Sequence, residues 1–245
     1  HGKARRQATY YLMKKFLSAR WRDLIMANYE VDHSLLLSRV PTGTELDLHE
    51  GRCFVSLVGF MFLDTRVLSF LVPFHVNFEE VNLRFYVKRT VGDDVRRGVV
   101  FIKEIVPRMA IATVARVLYG EPYECWSMSN VRDDSSVAYA WKKGDQTARL
   151  SVMRGEDLGV PLDDSHGSFI IEHYWGYTDR GNGRTDEYRV AHPKWNLFST
   201  KDEVIDVDFE RTYGDEFAFL SDQKPYSVIL ADGSEISVYK GKSLK

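Results

Sequence analysis

The chain has 245 residues and a formal charge of -2, a balance that offers no basic excess to a phosphate backbone and so excludes nucleic acid as the main partner. With 44% apolar and 13% aromatic residues it can bury a sizeable core, which excludes general disorder. Two cysteines, Cys53 and Cys125, fit a reducing, cytoplasmic setting better than a disulfide scaffold, and the longest apolar run, Val67 to Val76, is broken by Pro73 and is far shorter than the ~20 residues of a membrane span.

Residues 1–8 are expected to be a disordered or tag-derived start, and residues 9–245 a single domain. Residues 8–17 fit a short amphipathic helix lying on the domain. Trp21 to Val31 alternates as a strand, and Asp32 is a good N-cap for a short helix through Leu35, Leu36 and Leu37. Glu45 to Leu48, a turn at Glu50-Gly51 and Arg52 to Asp64 read as a hairpin. The second arm is apolar on both faces, which places it inside the structure.

Phe78 to Lys88 shows the cleanest alternation: Val81, Leu83, Phe85 and Val87 take one face, Glu80, Asn82, Arg84 and Tyr86 the other. Gly92-Asp-Asp turns it back into an apolar strand, Gly98 to Val106, and an antiparallel pair follows. Pro107 suits a first helical position, and apolar residues at helical spacing continue until Gly120 and Pro122 end the helix. Tyr123 to Val131, Ser136 to Lys142 and Thr147 to Met153 read as a meander, Gly155 to Asp164 as a loop, and Ser165 as the cap of a helix reaching about Glu172. His173 to Arg180 and Arg184 to Ala191 bracket Gly181-Asn-Gly183 as another hairpin. The tail carries a strand at Glu203 to Val207, a helix around Phe209 to Leu220 and a closing hairpin at Asp232-Gly233.

The fold class is therefore mostly β (α+β): a large antiparallel sheet that curls or closes into a barrel-like body with a few short helices. Closed sheets have an interior where ligands sit. On the face of Glu80, Asn82, Arg84 and Tyr86 a guanidinium lies four residues from a carboxylate. That face can line a polar cavity and hold a small carboxylate bidentately, or it can be an ordinary solvated surface. Lys103, in an apolar strand, can have its pKa pulled down and serve as a Schiff-base nucleophile, or it can snorkel at the rim; its neighbour Glu104 must point to the other face. If Asn182-Gly183 is a two-residue loop, His173 stands opposite His192, but Asp179 then stands opposite Asp186, an unfavourable pair unless well solvated. No third metal ligand follows at a recognisable spacing, and no nucleophile elbow, phosphate-binding loop or Cys-x-x-Cys is present. Neither a metal nor a cofactor is expected.

Several of these stretches are familiar together: Trp21 to Asp32, Val40-Pro41, Gly51 to Val58, Glu80 to Val87, Gly98 to Phe101, Arg116 to Tyr123, Glu172-His-Tyr and His192-Pro-x-Trp195. They resemble a bacterial family of unknown function that is itself similar to acetoacetate decarboxylase. The resemblance implies a cone-shaped β-barrel whose pocket, in the decarboxylase, holds a Schiff-base lysine followed by a second lysine, directly after a proline that ends an Arg-containing helix. Here that place is Arg116 to Pro122, and the two residues that follow are Tyr123 and Glu124. Neither can form an imine. The decarboxylase's catalytic glutamate corresponds best to Glu80.

The expected function is that of a binder of a small, anionic polar metabolite without Schiff-base chemistry. Asn82, Arg84, Arg116 and His173 are its binding candidates, with Glu80, Tyr123 and Glu124 as candidate catalytic groups. The alternative is an enzyme that uses Glu80 or Glu124 as base and Tyr123 as acid on a carbonyl or ester. A structural protein with a vestigial pocket is the third reading, and a homo-oligomer is compatible with any of them.

Overall fold

A computed structural model of the chain describes residues 14–71, 76–108 and 120–244. Strand β1 (Lys15–Val31) takes in Lys15, Phe16 and Leu17, so the end of the helix expected over residues 8–17 is strand; its start, like residues 1–8, lies outside the described residues. Pairing with neighbours on both sides overrides the short local periodicity there. The Asp32 side chain accepts from the Ser34 N–H at 2.8 Å and caps the first of two 3-10 turns, His33–Leu35 and Leu37–Arg39. Strand β2 (Glu45–Leu46) is a correction to the expected hairpin. Glu50 and Gly51 do form a two-residue turn closed by a His49–Arg52 bridge, but Glu45 and Leu46 pair with Lys88 and Val87 instead. Asp47, held by Arg97 and His173, peels this segment away from the next strand.

Strands β3 (Cys53–Val67), β4 (Phe70–Leu71), β5 (Phe78–Val91) and β6 (Asp94–Val106) follow, with β3 between β1 and β5 and buried on both faces. Gly92 and Asp93 turn β5 into β6. Residues 109–119, with the expected helix and Arg116, lie outside the described residues. Strand β7 (Tyr123–Cys125) runs parallel to β6, as a connection of this length permits. The expected strand from Tyr123 to Val131 is thus two, split at Trp126. Then β8 (Ser127–Arg132), β9 (Ser136–Lys143) and β10 (Gln146–Gly159) form the meander. Because β10 keeps pairing with the tail, it runs through Gly155–Gly159, where a loop is expected.

Helix α1 (His166–Ile171) is capped by Ser165, whose Oγ accepts from the Ser168 N–H. Strands β11 (Trp175–Asp179) and β12 (Thr185–Ala191) make the next hairpin one residue out of the expected register. Gly181, Asn182 and Gly183 all adopt left-handed φ, and the loop closes between Arg180 and Arg184, so it holds three residues. Asp179 therefore faces Thr185, Asp186 pairs with Arg180 at 3.2 Å, and His173 and His192 are not cross-strand partners.

Strand β13 (Leu197–Asp206), helix α2 (Phe209–Tyr213), a 3-10 segment Asp215–Ser221, β14 (Ser227–Tyr239) and β15 (Lys242–Leu244) complete the described chain. Gly214 splits the expected helix in two. The Asp232-Gly233 hairpin does not form: β14 is one strand paired along its length with β1. Gly233 takes φ +78° inside it, and a Cβ there would meet the Trp21 carbonyl oxygen at 2.1 Å. Thus a turn-forming dipeptide is used for a close approach of two strands.

The described strands form one sheet, mostly antiparallel, with β6 parallel to both β7 and β11. Strands β12, β11, β6, β5, β3, β1 and β14 close into a ring through a β12–β14 pairing, and β13, β10, β9 and β8 continue outward from β14. Strands β1, β3, β5 and β6 of the ring pack on both sides. Val55, Leu57, Val81, Leu83, Phe85 and Ile105 face an outer core covered by the meander and by Phe209, Tyr213, Phe217 and Leu220. Phe54, Phe60, Phe62, Phe78, Tyr86 and Val99 face inward toward α1 and Trp195.

Candidate functional site

The inner face encloses a cavity of about 210 Å³. One end is aromatic: Trp21 meets Phe60, Phe62 and Trp195 edge-on with centroids 5.2, 5.7 and 6.2 Å away. The other end is polar, built from β5, β6 and β7. On β5 strict alternation sends Glu80, Asn82 and Arg84 inward and Val81, Leu83 and Phe85 to the outer core.

On β6 alternation breaks. Leu83 pairs with Lys103 and Arg84 with Phe101, so Ile102 is an extra residue, a β-bulge. Before it Val99 and Phe101 line the cavity; after it Glu104 does, while Lys103 and Ile105 face outward. Without the bulge, strict alternation would carry Lys103 inward with Val99 and Phe101. Glu104 lies opposite Asn82 on β5 and beside Tyr123 on β7, so three neighbouring strands present Asn82, Glu104 and Tyr123 in a row about 5 Å apart.

Three carboxyls converge here with almost no water contact: Glu80, Glu104 and Glu121. Glu80 accepts from the Asn82 amide at 3.0 Å and from the Tyr123 hydroxyl at 3.2 Å. Glu121 accepts from the Thr178 hydroxyl at 2.6 Å. Burial pushes Glu80 up to about 7 against the pull of Asn82, Tyr123 and Arg84, and burial likewise pushes Glu121 up to about 7. Burial, with the charges of Glu80 and Glu121 added, holds Glu104 well above the ordinary carboxyl range. Glu80 and Glu104 hydrogen-bond to each other, and Glu104 keeps the proton when Glu80 ionises. Burial and these two carboxyls also push Tyr123 upward, so it stays a proton donor. Among the described residues no three His, Cys, Asp or Glu side chains are placed to hold a metal ion.

Among the described residues Arg84 is the cavity's only arginine and forms no ion pair within 4 Å, although its charge reaches Glu80 and favours the ionised form of that carboxyl. It lies over the Tyr86 ring at 5.7 Å, touches the Ile170 carbonyl at 3.4 Å, and its Nε is buried without a partner. His173, just beyond α1, also lines the cavity; its Nε2–H donates to Asp47 at 3.1 Å, and burial lowers its pKa to about 4 despite that carboxylate. It is a neutral ring at physiological pH. His192 stacks on Trp195 at 4.1 Å and, lowered by burial to about 4, is neutral as well.

The structure thus brings Glu80, Asn82, Arg84, Tyr123 and His173 to one cavity. Glu124 is elsewhere, because its neighbour Tyr123 takes the inward position. It accepts from Lys103 at 2.9 Å, Lys143 at 2.8 Å and Trp126 at 2.8 Å on the outer side. Burial opposes its ionisation, but these donors outweigh it and hold the carboxyl at about 2, a permanently charged ion-pair member and no base. Lys103 also donates to the Thr212 carbonyl at 2.5 Å. Among the described residues no lysine lines the cavity. Arg116 lies outside the described residues. Sequence reasoning does not place Glu121, Trp21 or Trp195 in the site, and it sends Glu104 only to the face opposite Lys103: the signal is a charged pair in an apolar strand, and which of the two faces inward depends on a bulge that periodicity does not reveal.

Residues 18–235 match the family DUF2071, described as an uncharacterized conserved protein. The chain belongs to the DUF2071 family. Over 188 residues, 75% of this chain and 76% of the relative, it is 26% identical to the uncharacterized protein YqjF of Bacillus subtilis. In fold, this DUF2071 chain is similar to acetoacetate decarboxylase from Legionella pneumophila, with a TM-score of 0.65 at 13% identity over 94% of this chain and 87% of that one. It is also similar to an acetoacetate decarboxylase-like enzyme from Sphingomonas wittichii, with a TM-score of 0.62 at 13% identity over 96% and 95%. The enduracididine biosynthesis enzyme MppR, complexed with pyruvate, gives 0.63 at 12% identity over 96% and 92%. At such identities the likeness shows the fold alone: the DUF2071 chain has the decarboxylase-like architecture that the resemblance implies.

Proposed function

We propose that the ring encloses a binding site for a small organic acid, held without a covalent bond to the protein. The observation that carries this reading is Arg84: a guanidinium on the wall of a largely apolar cavity with no carboxylate beside it among the described residues. Partly withdrawn from water, with only the longer-range charge of Glu80 to balance it, such a cation is matched by an anion that enters from outside. Pyruvate bound to MppR, a protein of similar fold, supports a ligand of this size and charge. The absence of imine chemistry is part of the proposal, supported by Lys103 being bonded to Glu124 and Thr212 on the other side of β6. A cytoplasmic setting is also part of it, supported by two free cysteines, Cys53 and Cys125; among the described residues no helix is long and apolar enough to cross a membrane.

A second reading, proton transfer next to a carbonyl, draws on a different observation. Glu80 and Glu104 share a proton beside Tyr123 and stand on neighbouring strands. Calorimetric titration with pyruvate and 3-phenylpropanoate tests the first reading, expecting saturable binding by the wild type and none by Arg84→Met. Equal binding by both proteins overturns it. For the second, exchange of the C3 protons of pyruvate in deuterated water is followed by NMR, and exchange that survives Glu80→Gln removes Glu80 as base.

A further inference from the structure

The acid-binding reading uses Arg84 and leaves other polar atoms of the same wall unexplained. Asn82 donates its amide to Glu80, which leaves Oδ1 an acceptor with no donor. His173 donates Nε2–H to Asp47, which leaves Nδ1 a bare acceptor. Glu104 Oε2 receives no donor either, and becomes a full acceptor once the Glu104–Glu80 pair gives up its proton. These three residues are 1%, 8% and 2% exposed, so water reaches none of them freely. Buried acceptors in this number call for an occupant that brings N–H or O–H donors. A plain carboxylate or a keto acid brings acceptors only; it satisfies Arg84 and leaves the other three as they are.

Spacing narrows the choice. Arg84 and Asn82 are alternate residues on one face of β5, about 7 Å apart, and Glu104 lies across from Asn82 on β6. A carboxylate on Arg84 and a cationic donor between Asn82 and Glu104 therefore occupy neighbouring positions of one wall, within reach of a single small zwitterion. The remainder of the cavity is aromatic and accepts an apolar group. Resting on the acid-binding reading, we propose that the ligand is an α-amino acid with an apolar side chain. Its carboxylate pairs with Arg84, its ammonium donates to Asn82 Oδ1 and the Glu104–Glu80 pair, and its side chain packs on Trp21, Phe60 and Phe62. Charge closes: the ligand's carboxylate neutralises Arg84, and its ammonium ionises one buried carboxylic acid, whose proton leaves to solvent. A monofunctional acid gives no such release.

The test is calorimetry on the whole chain with L-phenylalanine, 3-phenylpropanoate and 2-phenylethylamine, repeated with L-leucine, 4-methylpentanoate and 3-methylbutylamine. At least one amino acid is expected to bind tenfold or more tightly than either of its single-function analogues, a preference of about 1.4 kcal/mol. Titrations in two buffers of different ionisation enthalpy should show proton release near pH 7 for the amino acid and none for its acid analogue. Glu104→Gln should reduce the amino acid to the affinity of its acid analogue; if that variant does not fold, proton release decides. Should 3-phenylpropanoate or 4-methylpentanoate match the amino acid and lose binding in Arg84→Met, the amino-acid inference fails while the acid-binding reading stands. If none of the six binds, the amino-acid inference falls, and the acid-binding reading falls with it when pyruvate fails to bind as well.

Discussion

Glu104→Gln removes a buried carboxyl while keeping its shape, and its effect on stability follows from where the proton sits. An acid whose pKa is raised by folding keeps, in the folded chain, a proton that the unfolded chain has already released. Stability therefore falls as pH rises above the unfolded value of about 4.5, by about 1.4 kcal/mol for each pH unit, until the folded value is passed. Glu80 and Glu121 pass theirs near 7 and flatten out there. Glu104, held well above the ordinary range by burial and by those two carboxyls, continues to act. His173 and His192, depressed to about 4, work in the opposite sense: stability is lost as pH falls from about 6.5 toward 4, and above 6.5 they are silent. Above pH 7, while Glu104 keeps its proton, the wild type should thus lose stability faster than Glu104→Gln, by up to about 1.4 kcal/mol for each pH unit. Urea unfolding followed by tryptophan fluorescence measures this; with m of about 2–3 kcal/mol/M, the wild-type midpoint should move up to roughly 0.5–0.7 M further for each pH unit. Parallel pH profiles for the two proteins would mean that Glu104 ionises like a surface carboxyl, and the proton-holding site would have to be abandoned.

Arg84→Met should leave stability unchanged or raise it by about 1 kcal/mol, because a partly buried cation with no ion-pair partner within 4 Å among the described residues gives way to an apolar side chain of similar length; a melting curve showing a large loss would mean that Arg84 is a structural ion-pair member after all. Borohydride reduction in the presence of pyruvate should leave the intact mass unchanged, and an adduct mapped to Lys103 would refute the outward placement that its bonds to Glu124 and Thr212 give it. Gly233→Ala forces a Cβ against the Trp21 carbonyl at a positive φ and should cost about 2 kcal/mol or more, a fall of roughly 4–8 °C in Tm; a change under 1 °C would show that β1 and β14 are not in such close register.

Strand alternation was enough to read β5 and its inward face, because β5 has no bulge between Phe78 and Arg84 on its β3 side and its side chains keep period two throughout. The Gly92-Asp93 turn was equally legible, because nothing competed with it. Asp232-Gly233 was not, because the same chemistry that makes a turn also lets one strand approach another, and only the presence of β1 alongside decides between them. In β11–β12 the error was one residue. Asn182-Gly183 alone predicts a two-residue loop, but Gly181 also adopts a left-handed φ and lengthens it, which turns an unfavourable Asp179–Asp186 pair into an Arg180–Asp186 ion pair. Glu121 escaped notice for a similar reason: nothing in its neighbours says that Thr178, 57 residues later, will bury it.

The decision that sets the character of the cavity is made at Ile102. Lys103 and Glu104 are adjacent, so a strand admits one of them to the ring and turns the other out. Val99 and Phe101 before them fix the parity with which the strand starts, and that parity admits the lysine. The extra residue at Ile102 reverses it, and the lysine meets Glu124 outside while the glutamate joins Glu80 and Glu121 inside. A desolvated amine is a nucleophile toward ketones; a desolvated carboxyl is a proton store that an incoming cation discharges. One bulge therefore separates a cavity suited to covalent capture of a carbonyl from one suited to reading charge. The same bulge explains why Tyr123, next in the row beyond Glu104, has a carboxyl beside it to keep its hydroxyl protonated.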